Sequence, residues 1–184
     1  MKNLDKKTAI RKTVLALRNG LTLAQKWEQE KQIVENVLDS PEFEMYQAIY
    51  TYVGMGSEVD TRVLIKKALA LGKKVACPKI EDGEIEFYYI NGLEDLLHGS
   101  FGIPEPIGEQ LAMDENALVV VPGIAFDYGK QRIGYGKGYY DKYLAKYPWY
   151  KTIGLAFQIQ IMDSLPSESF DIALELIATE EGVF

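Results

Sequence analysis

The apolar residues of the N-terminal segment recur at the spacing of a helix. Ile10, Val14 and Leu17 are separated by three or four positions in an otherwise basic stretch, so they share one helix face. This spacing stops near Asn19-Gly20, where the glycine favours a helix end. The sequence therefore predicts a short amphipathic helix in this segment.

A second helix is predicted directly after the first. Thr22 is followed three residues later by Gln25, and this spacing matches a capping box at the start of a helix. The residues up to about Leu38 are mostly polar and favour helix formation, and Ser40-Pro41 is typical of a helix end. The N-terminal part of the chain is therefore expected to be helical.

From residue 48 onward, short apolar runs alternate with helical patterns. Helices are predicted over residues 61–71 and after Gly138, while residues 91–116 are expected to cross the surface with little regular structure. The alternation favours a single α/β domain over residues 1–184, in which a mostly parallel sheet lies between helices. Strands are predicted at residues 48–53, 74–77, 85–89, 118–121, 152–157 and 174–178.

Residues 119–144, VVVPGIAFDYGKQRIGYGKGYYDKYL, contain an apolar run, alternating glycines with basic side chains, and a helical pattern, in that order. The order predicts a strand, a loop and a helix start, where free backbone N–H groups and the helix dipole favour phosphate oxygens. Between residues 127 and 142 there are four cations and two acids, in a chain of net charge −7. The segment is therefore a candidate anion-binding loop.

The glycine spacing matches neither familiar phosphate-binding motif. Gly134, Gly136 and Gly138 form G-x-G-x-G instead of G-x-G-x-x-G, and Gly136-Lys137 is not followed by the Ser or Thr of the Walker motif. A flexible connection between a strand and a helix is the alternative interpretation. The charged residues Arg132, Lys137 and Asp141 around the glycines favour anion binding over a simple connection.

Composition narrows the class of protein. Among 184 residues, 27 acids against 20 bases argue against nucleic-acid binding, so the expected anion is a small ligand that is bound locally. We expect a cytoplasmic protein without a membrane partner, since apolar runs are short and no signal-peptide pattern is present. The single Cys77 and single His98 exclude an intrachain disulfide and a two-histidine metal centre. His98 is expected in a surface loop.

Three loops that follow predicted strands are expected to meet in one cleft, because ligands of open α/β sheets bind beyond the carboxyl ends of the strands. They span residues 54–60, 122–138 and 158–171. The first loop places Glu58 and Asp60 before a predicted helix. Favourable capping of that helix is the alternative role for both acids.

The segment VPGIAFDYGKQRIGYGKGYYDKYL closely resembles the signature of the 5-formyltetrahydrofolate cyclo-ligase family, also called methenyltetrahydrofolate synthetases. Lys7-x-x-x-Arg11, the GSEVDT segment at residues 56–61 and the C-terminal segment ending in Ala178-Thr179-Glu180 are also similar to the family. The resemblance therefore covers nearly the whole chain. It implies a three-layer α/β/α fold like that of sugar-phosphate isomerases and CoA transferases.

The resemblance implies a reaction that depends on ATP and Mg²⁺, in which 5-formyltetrahydrofolate becomes 5,10-methenyltetrahydrofolate and ADP and phosphate are released. The formyl oxygen would be phosphorylated, N10 would attack the activated carbon, and phosphate would leave. Such chemistry depends on positioning and charge neutralisation, and it needs no cysteine or histidine nucleophile. Two alternatives stay open: a sugar-phosphate isomerase or CoA-utilising enzyme of similar topology, and a nucleotide- or folate-binding module without turnover.

The resemblance also implies roles for individual residues. Arg132 and Lys137 would be the catalytic cations, and Asp141 and Asp171 would bind Mg²⁺. The implied ATP-binding residues are Lys7, Arg11, Arg132, Gly134, Tyr135, Gly136, Lys137, Gly138, Tyr139 and Tyr140. The implied folate-binding residues are Val53, Met55, Glu58, Tyr135, Gly136, Lys137, Gly138 and Tyr139.

Some of these assignments have alternatives. Lys7 and Arg11 would otherwise be charges on a solvated helix face. The C-terminal segment LPSESFDIALE departs from the family, because Phe170 takes the place of a histidine and Glu175 that of a second aspartate, which puts the metal role of Asp171 in question. The expected partners are the folate substrate and ATP, and we expect a monomer, with a homodimer as the alternative.

Overall fold

The computed structural model describes residues 3–99 and 102–184. Within them, Thr22 and Gln25 form the predicted capping box, since the Thr22 hydroxyl accepts the Gln25 N–H and the Gln25 side chain accepts the Thr22 N–H. The helices are α1 (Asn3–Asn19), α2 (Leu23–Leu38), α3 (Pro41–Met45), α4 (Arg62–Ala70) and α5 (Tyr139–Lys146).

Helix α3 was not predicted. Ser40-Pro41 was interpreted as a helix end, but the Ser40 hydroxyl accepts the Phe43 N–H and Pro41 occupies the first turn of a new helix. Both residue types favour a helix start as well as a stop. The single turn that follows buries Phe43 against the core.

Twelve strands are present in the described residues, and the Asp82-Gly83 turn joins the second to the third. Both turn residues have positive φ, 50° and 80°, as in the type I′ turns that are common in tight hairpins. The strands are β1 (Ala48–Thr51), β2 (Lys74–Glu81), β3 (Glu84–Ile90), β4 (Leu96–His98), β5 (Pro104–Pro106), β6 (Ala117–Val121), β7 (Ala125–Asp127), β8 (Arg132–Ile133), β9 (Lys151–Leu155), β10 (Ile161–Met162), β11 (Leu176–Thr179) and β12 (Gly182–Val183).

The main sheet has the order β12-β11-β9-β6-β1-β2-β3. Its five inner strands are parallel, and the edge strands β3 and β12 are antiparallel to their neighbours. The predicted mostly parallel sheet is confirmed. The carboxyl ends of β1, β6 and β9 lie next to one another, so the segments that follow them share one edge of the sheet.

Helices cover both faces of the main sheet. Ile49 packs with α2 and α4 on one face, whereas its neighbour Tyr50 packs with Tyr143 and Leu144 of α5 on the other. Alternate strand residues point to opposite faces, which explains why the buried strands are apolar throughout. The three-layer α/β/α arrangement is confirmed, while the single-domain organisation and the likeness to sugar-phosphate isomerases stay predictions.

Three segments that were predicted as loops contain short strands. Residues 122–138 and 158–171 form a small sheet of order β10-β7-β8, and residues 91–116 contain the β4–β5 hairpin. These strands have two or three residues each, too few to show a periodic pattern. In residues 3–99 and 102–184, no helix has both the length and the apolar character needed to cross a membrane.

Candidate active site

One face of α1 carries three cations that point into the protein. Lys7, Arg11, Val14 and Arg18 are separated by four, three and four positions, which places them along one side of a helix. Val14 packs against the small sheet, so this side is turned inward, and Lys7 and Arg18 are only 7% and 3% exposed. The alternative of a solvated basic face is therefore wrong for Lys7.

Lys7 connects α1 to the C-terminal segment. Its ammonium lies 2.5 Å from an Asp171 oxygen and 3.2 Å from a Glu168 oxygen. Burial alone would lower the pKa of Lys7, but the two carboxylates outweigh it and the pKa is raised. Lys7 is therefore a stable cation. Phe170, at the position of the family histidine, is exposed, with the Lys7 ammonium 5.9 Å from its ring centre.

The glycine loop, residues 134–138, connects β8 to α5. Gly136 and Gly138 have φ values of 94° and 69°, a region that side chains with a Cβ rarely adopt. The Arg11 Nε donates to the Gly134 carbonyl at 2.8 Å, so the N-terminal helix supports the loop backbone. Lys137 is exposed on the loop. The structure thus brings Arg11 next to the start of the glycine loop.

Arg132 and Asp141 form a largely buried ion pair at the start of α5. The Arg132 Nη2 lies 2.9 Å from an Asp141 oxygen, and the same oxygen accepts the Ile172 N–H at 3.2 Å. The Arg132 side chain is 5% exposed. Its Nε and the Tyr140 hydroxyl are buried without a hydrogen-bond partner among the described residues. Since buried polar groups are normally satisfied, both are candidates to bind a ligand.

The metal-binding prediction rests on two acids that already have cationic partners. Asp141 pairs with Arg132, and Asp171 pairs with Lys7 and also accepts the Glu168 N–H. Over the described ranges 3–99 and 102–184, no cluster of three or more His, Cys, Asp or Glu side chains could hold a metal ion. The side chains of these described residues therefore do not form a metal site by themselves.

A cleft of about 240 Å³ lies between the loop after β1 and the β4–β5 hairpin. Glu58 points back into this loop, where its carboxylate accepts the Met55 N–H at 2.9 Å. It does not cap α4, so the capping alternative is wrong for Glu58. The cleft is lined by Lys26, Gly54, Met55, Gly56, Glu58, Asp60, Arg62, His98, Gly102 and Pro104.

Val53, Glu175 and His98 have environments that the sequence did not fully indicate. Val53 is 3% exposed and packs in the core, and it is not among the residues that line the cleft. Glu175 pairs with Lys151 at 2.8 Å, so this acid is engaged away from Asp171. His98 is exposed, as predicted, but it lies in β4 and lines the cleft.

Sequence reasoning missed Arg18, which connects several parts of the site. Its Nη2 donates to the Tyr135 hydroxyl at 2.9 Å, and its Nε donates to the Ser57 hydroxyl at 3.0 Å. The helical spacing from Lys7 and Arg11 could have indicated that Arg18 shares their face. Nothing in the sequence could have shown that Tyr135 and Ser57 would lie next to it, because those contacts span long distances along the chain.

Tyr135 lies between the glycine loop and the cleft. Its ring is half exposed, yet partial burial of the hydroxyl and the neighbouring Glu58 carboxylate raise the pKa of Tyr135 to about 12. Burial is also the main cause that raises the pKa of Tyr140, and the Glu58 carboxylate is the second. Arg18 donates to both Tyr135 and Ser57, the residue before Glu58, so the predicted phosphate-binding loop and the loop of the predicted folate-binding acid are neighbours in space.

Comparison with known proteins gives a consistent result. The model of the 5-formyltetrahydrofolate cyclo-ligase family matches residues 3–180. A relative from Schizosaccharomyces pombe is 34% identical, with 84% of this chain and 85% of the relative covered. The 5-formyltetrahydrofolate cyclo-ligase of Escherichia coli is 29% identical, with 91% of this chain and 96% of the relative covered.

Solved structures are similar to this fold over almost their whole length. The NMR structure of the 5,10-methenyltetrahydrofolate synthetase of Aquifex aeolicus has a TM-score of 0.87 at 32% identity and covers 96% of this chain and 91% of its own. A Mycoplasma pneumoniae protein at 23% identity shares the fold, with a TM-score of 0.77. Because the family match extends over nearly the entire sequence, the chain belongs to the 5-formyltetrahydrofolate cyclo-ligase family.

Proposed function

We propose that the chain converts 5-formyltetrahydrofolate to 5,10-methenyltetrahydrofolate, with ATP as co-substrate and with release of ADP and phosphate. The observation that carries the proposal is the position of the glycine loop. It contacts α1 on one side, where Arg11 donates to Gly134, and on the other side its Tyr135 shares the Arg18 guanidinium with Ser57, the residue before Glu58. A single loop thus borders both predicted binding regions, as a reaction between two bound substrates requires.

The nucleotide side of the proposed site is formed by cations and free backbone groups. Gly138 precedes the first turn of α5, where unpaired N–H groups and the helix dipole favour phosphate oxygens. Lys137 is exposed beside them, and the unpartnered Nε of Arg132 offers a further donor. Lys7 and Arg11 approach from α1. These groups support the assignment of this region to the ATP phosphates.

The folate side is the cleft around Met55 and Glu58. A carboxylate there can accept hydrogen bonds from the amino group and ring N–H of a pterin. The Met55 side chain lines this cleft beside Glu58 and adds apolar surface to it, and the half-exposed Tyr135 lies on the neighbouring glycine loop. Because Arg18 joins Ser57 of the cleft loop to Tyr135 of the glycine loop, a folate bound in the cleft would have its formyl group near the nucleotide.

The reaction then follows from charge and proximity. The formyl oxygen attacks the γ-phosphorus of ATP, and the bond between that phosphorus and the ADP oxygen breaks. N10 attacks the activated formyl carbon and loses its proton, and phosphate leaves with the former formyl oxygen. Lys137 and Arg132 would stabilise the negative charge that moves during the transfer.

Magnesium fits this arrangement as a companion of the nucleotide. Proteins hold Mg²⁺ with one or two carboxylates together with substrate phosphates and water. Asp141 and Asp171 supply such a pair at one edge of the site, since Asp141 accepts the N–H of Ile172, the residue after Asp171. When bound there, Mg²⁺ would neutralise phosphate charge. Both acids would exchange part of their contact with Arg132 and Lys7 for the metal.

The proposal is tested by incubating the purified protein with Mg²⁺, ATP and 5-formyltetrahydrofolate. We expect a product that absorbs in the methenyl band, together with an equal amount of ADP. Lys137→Met is expected to reduce kcat/KM for ATP by at least about tenfold, because it removes a cation where charge develops. Lys142→Met, which removes an exposed cation on α5, is the matched control.

The outcomes separate the alternatives. A protein that binds both ligands but forms neither product nor ADP would be a binding module, and the proposed function would be wrong. Equal effects of Lys137→Met and Lys142→Met would show that the glycine-loop cation has no specific role. Turnover of a sugar phosphate or a CoA ester without folate turnover would favour the alternative enzyme classes.

A further inference from the structure

Arg18 is the more deeply buried of the two buried cations on α1, and it has no role in the predicted site. It lies seven residues beyond Arg11 on the same helix face and is 3% exposed. A buried guanidinium is costly unless its donors are hydrogen-bonded. The partners of Arg18 therefore indicate what its burial achieves.

The guanidinium donates to three separate segments. Nε donates to the Ser57 hydroxyl at 3.0 Å, Nη1 to the Gly123 carbonyl at 3.2 Å, and Nη2 to the Tyr135 hydroxyl at 2.9 Å. Ser57 lies in the cleft loop after β1, Gly123 follows β6, and Tyr135 belongs to the glycine loop. One side chain thus joins α1 to both halves of the site.

Arg18 also orients the hydroxyl of Tyr135. A phenol oxygen that accepts from a guanidinium keeps its own proton available for a different acceptor. The Glu58 carboxylate is a neighbouring acceptor, since after burial it is the next cause of the raised pKa of Tyr135. Glu58 in turn accepts the Met55 N–H at 2.9 Å. Arg18 therefore holds Tyr135 of the glycine loop close to Ser57, the residue directly before Glu58.

We propose that Arg18 is a positioning residue that holds Tyr135 next to Ser57 and Glu58 of the cleft loop and thereby couples the glycine loop to the folate cleft. The inference rests on the proposed function and adds a residue to it. Arg18 is enclosed by protein groups and acts through Tyr135, without touching the substrate. Its loss should weaken folate binding more than ATP binding, because Arg11 and Lys137 lie on the nucleotide side.

Steady-state kinetics with both substrates test the coupling. Arg18→Met is expected to raise the folate KM by about tenfold, because the charged hydrogen bond that holds Tyr135 at the cleft is lost. The ATP KM should change by less than about twofold. Tyr135→Phe removes only the hydroxyl and should have a similar effect. Because both changes break the same contact, the double variant should exceed Arg18→Met by less than about twofold. Lys12→Met, an exposed cation on α1, is the control.

Amide hydrogen exchange without substrates gives a second readout. Residues 55–58 and 134–138 are expected to exchange faster in Arg18→Met than in the wild type, and exchange elsewhere in the main sheet should stay the same. If Arg18→Met does not fold, Arg18→Lys replaces it. A single ammonium cannot reproduce the spread of guanidinium donors, so this variant should also raise the folate KM selectively.

Three results would overturn the inference. The first is a double variant whose folate KM rises by the product of the two single effects. The second is an equal change of the folate KM and the ATP KM in Arg18→Met. The third is unchanged amide exchange in both residues 55–58 and residues 134–138. A wild-type protein without cyclo-ligase turnover would instead overturn the proposed function. In that case the exchange measurement still tests whether Arg18 holds the two loops together.

Discussion

Glu58 and Asp60 lie two residues apart in one loop, yet their carboxylates have different partners. Asp60 pairs with Arg62 at 2.9 Å and accepts its N–H at 3.0 Å, so it stabilises the start of α4. Glu58 accepts the Met55 N–H and lies beside Tyr135 in the cleft. From the sequence, both acids were candidates to cap α4, and in the structure only Asp60 does so.

Glu58→Gln tests the role of this carboxylate at the residue scale. The amide keeps the shape and can still accept the Met55 N–H, but it loses the charge that would bind pterin donors. We expect the folate KM to rise by about tenfold and the ATP KM to stay within about twofold, as judged by steady-state kinetics. Glu28→Gln, an exposed acid on α2, is the control. A change confined to the ATP KM would show that Glu58 belongs to the nucleotide side.

At the scale of elements, Asp114 holds three strands together at one end of the sheet. It lies before β6 and accepts hydrogen bonds from Tyr89 of β3 and Lys74 of β2, and its N–H donates to the Tyr50 hydroxyl of β1. The Tyr89 hydroxyl and then the Lys74 ammonium lower the pKa of Asp114, although partial burial opposes them. The charged carboxylate is therefore the stabilising form.

The lowered pKa of Asp114 predicts a pH dependence. Its contribution to the free energy of unfolding is complete above the unfolded pKa of about 3.9 and disappears as the pH falls through the lower folded pKa. We expect Asp114→Asn to cost about 1 kcal/mol near neutral pH and progressively less below about pH 4. Urea unfolding at several pH values measures this. A cost that does not vary with pH, or an equal effect of Glu115→Gln, would contradict the prediction.

Elements differed in how well they could be predicted. Helices α1 and α2 have clear periodicity or a capping box, so local signals determine them. Strands β7, β8 and β10 have two or three residues, and they exist because they pair with each other beneath α1. Such strands depend on long-range contacts that no local pattern records.

At the scale of the whole molecule, the same strands contribute side chains to the hydrophobic clusters on both faces of the main sheet. Ile49 and Tyr50 are neighbours in β1, yet they belong to different hydrophobic clusters, and Leu118 and Val119 of β6 do likewise. Loss of the sheet would therefore remove both clusters. This sharing supports the prediction of one cooperative domain.

Urea unfolding followed by tryptophan fluorescence tests that prediction. Trp149→Phe leaves Trp27 on α2, and Trp27→Phe leaves Trp149 after α5, so the remaining tryptophan lies on or next to a helix that covers one face of the sheet. We expect a single transition in each variant, with the same midpoint as the circular dichroism of that variant. Different midpoints for fluorescence and circular dichroism would mean that the chain unfolds in parts.

The sequence by itself determined the glycine loop, the alternation of strands and helices, and the resemblance to the family. These features are local, since they depend on spacing, caps and glycines within short windows. Only the tertiary structure decided that Lys7 pairs with Asp171, that Glu58 faces the cleft and that Arg18 reaches Ser57, Gly123 and Tyr135. Those contacts join residues far apart in the chain, and the packing of α1 against the small sheet brings them together.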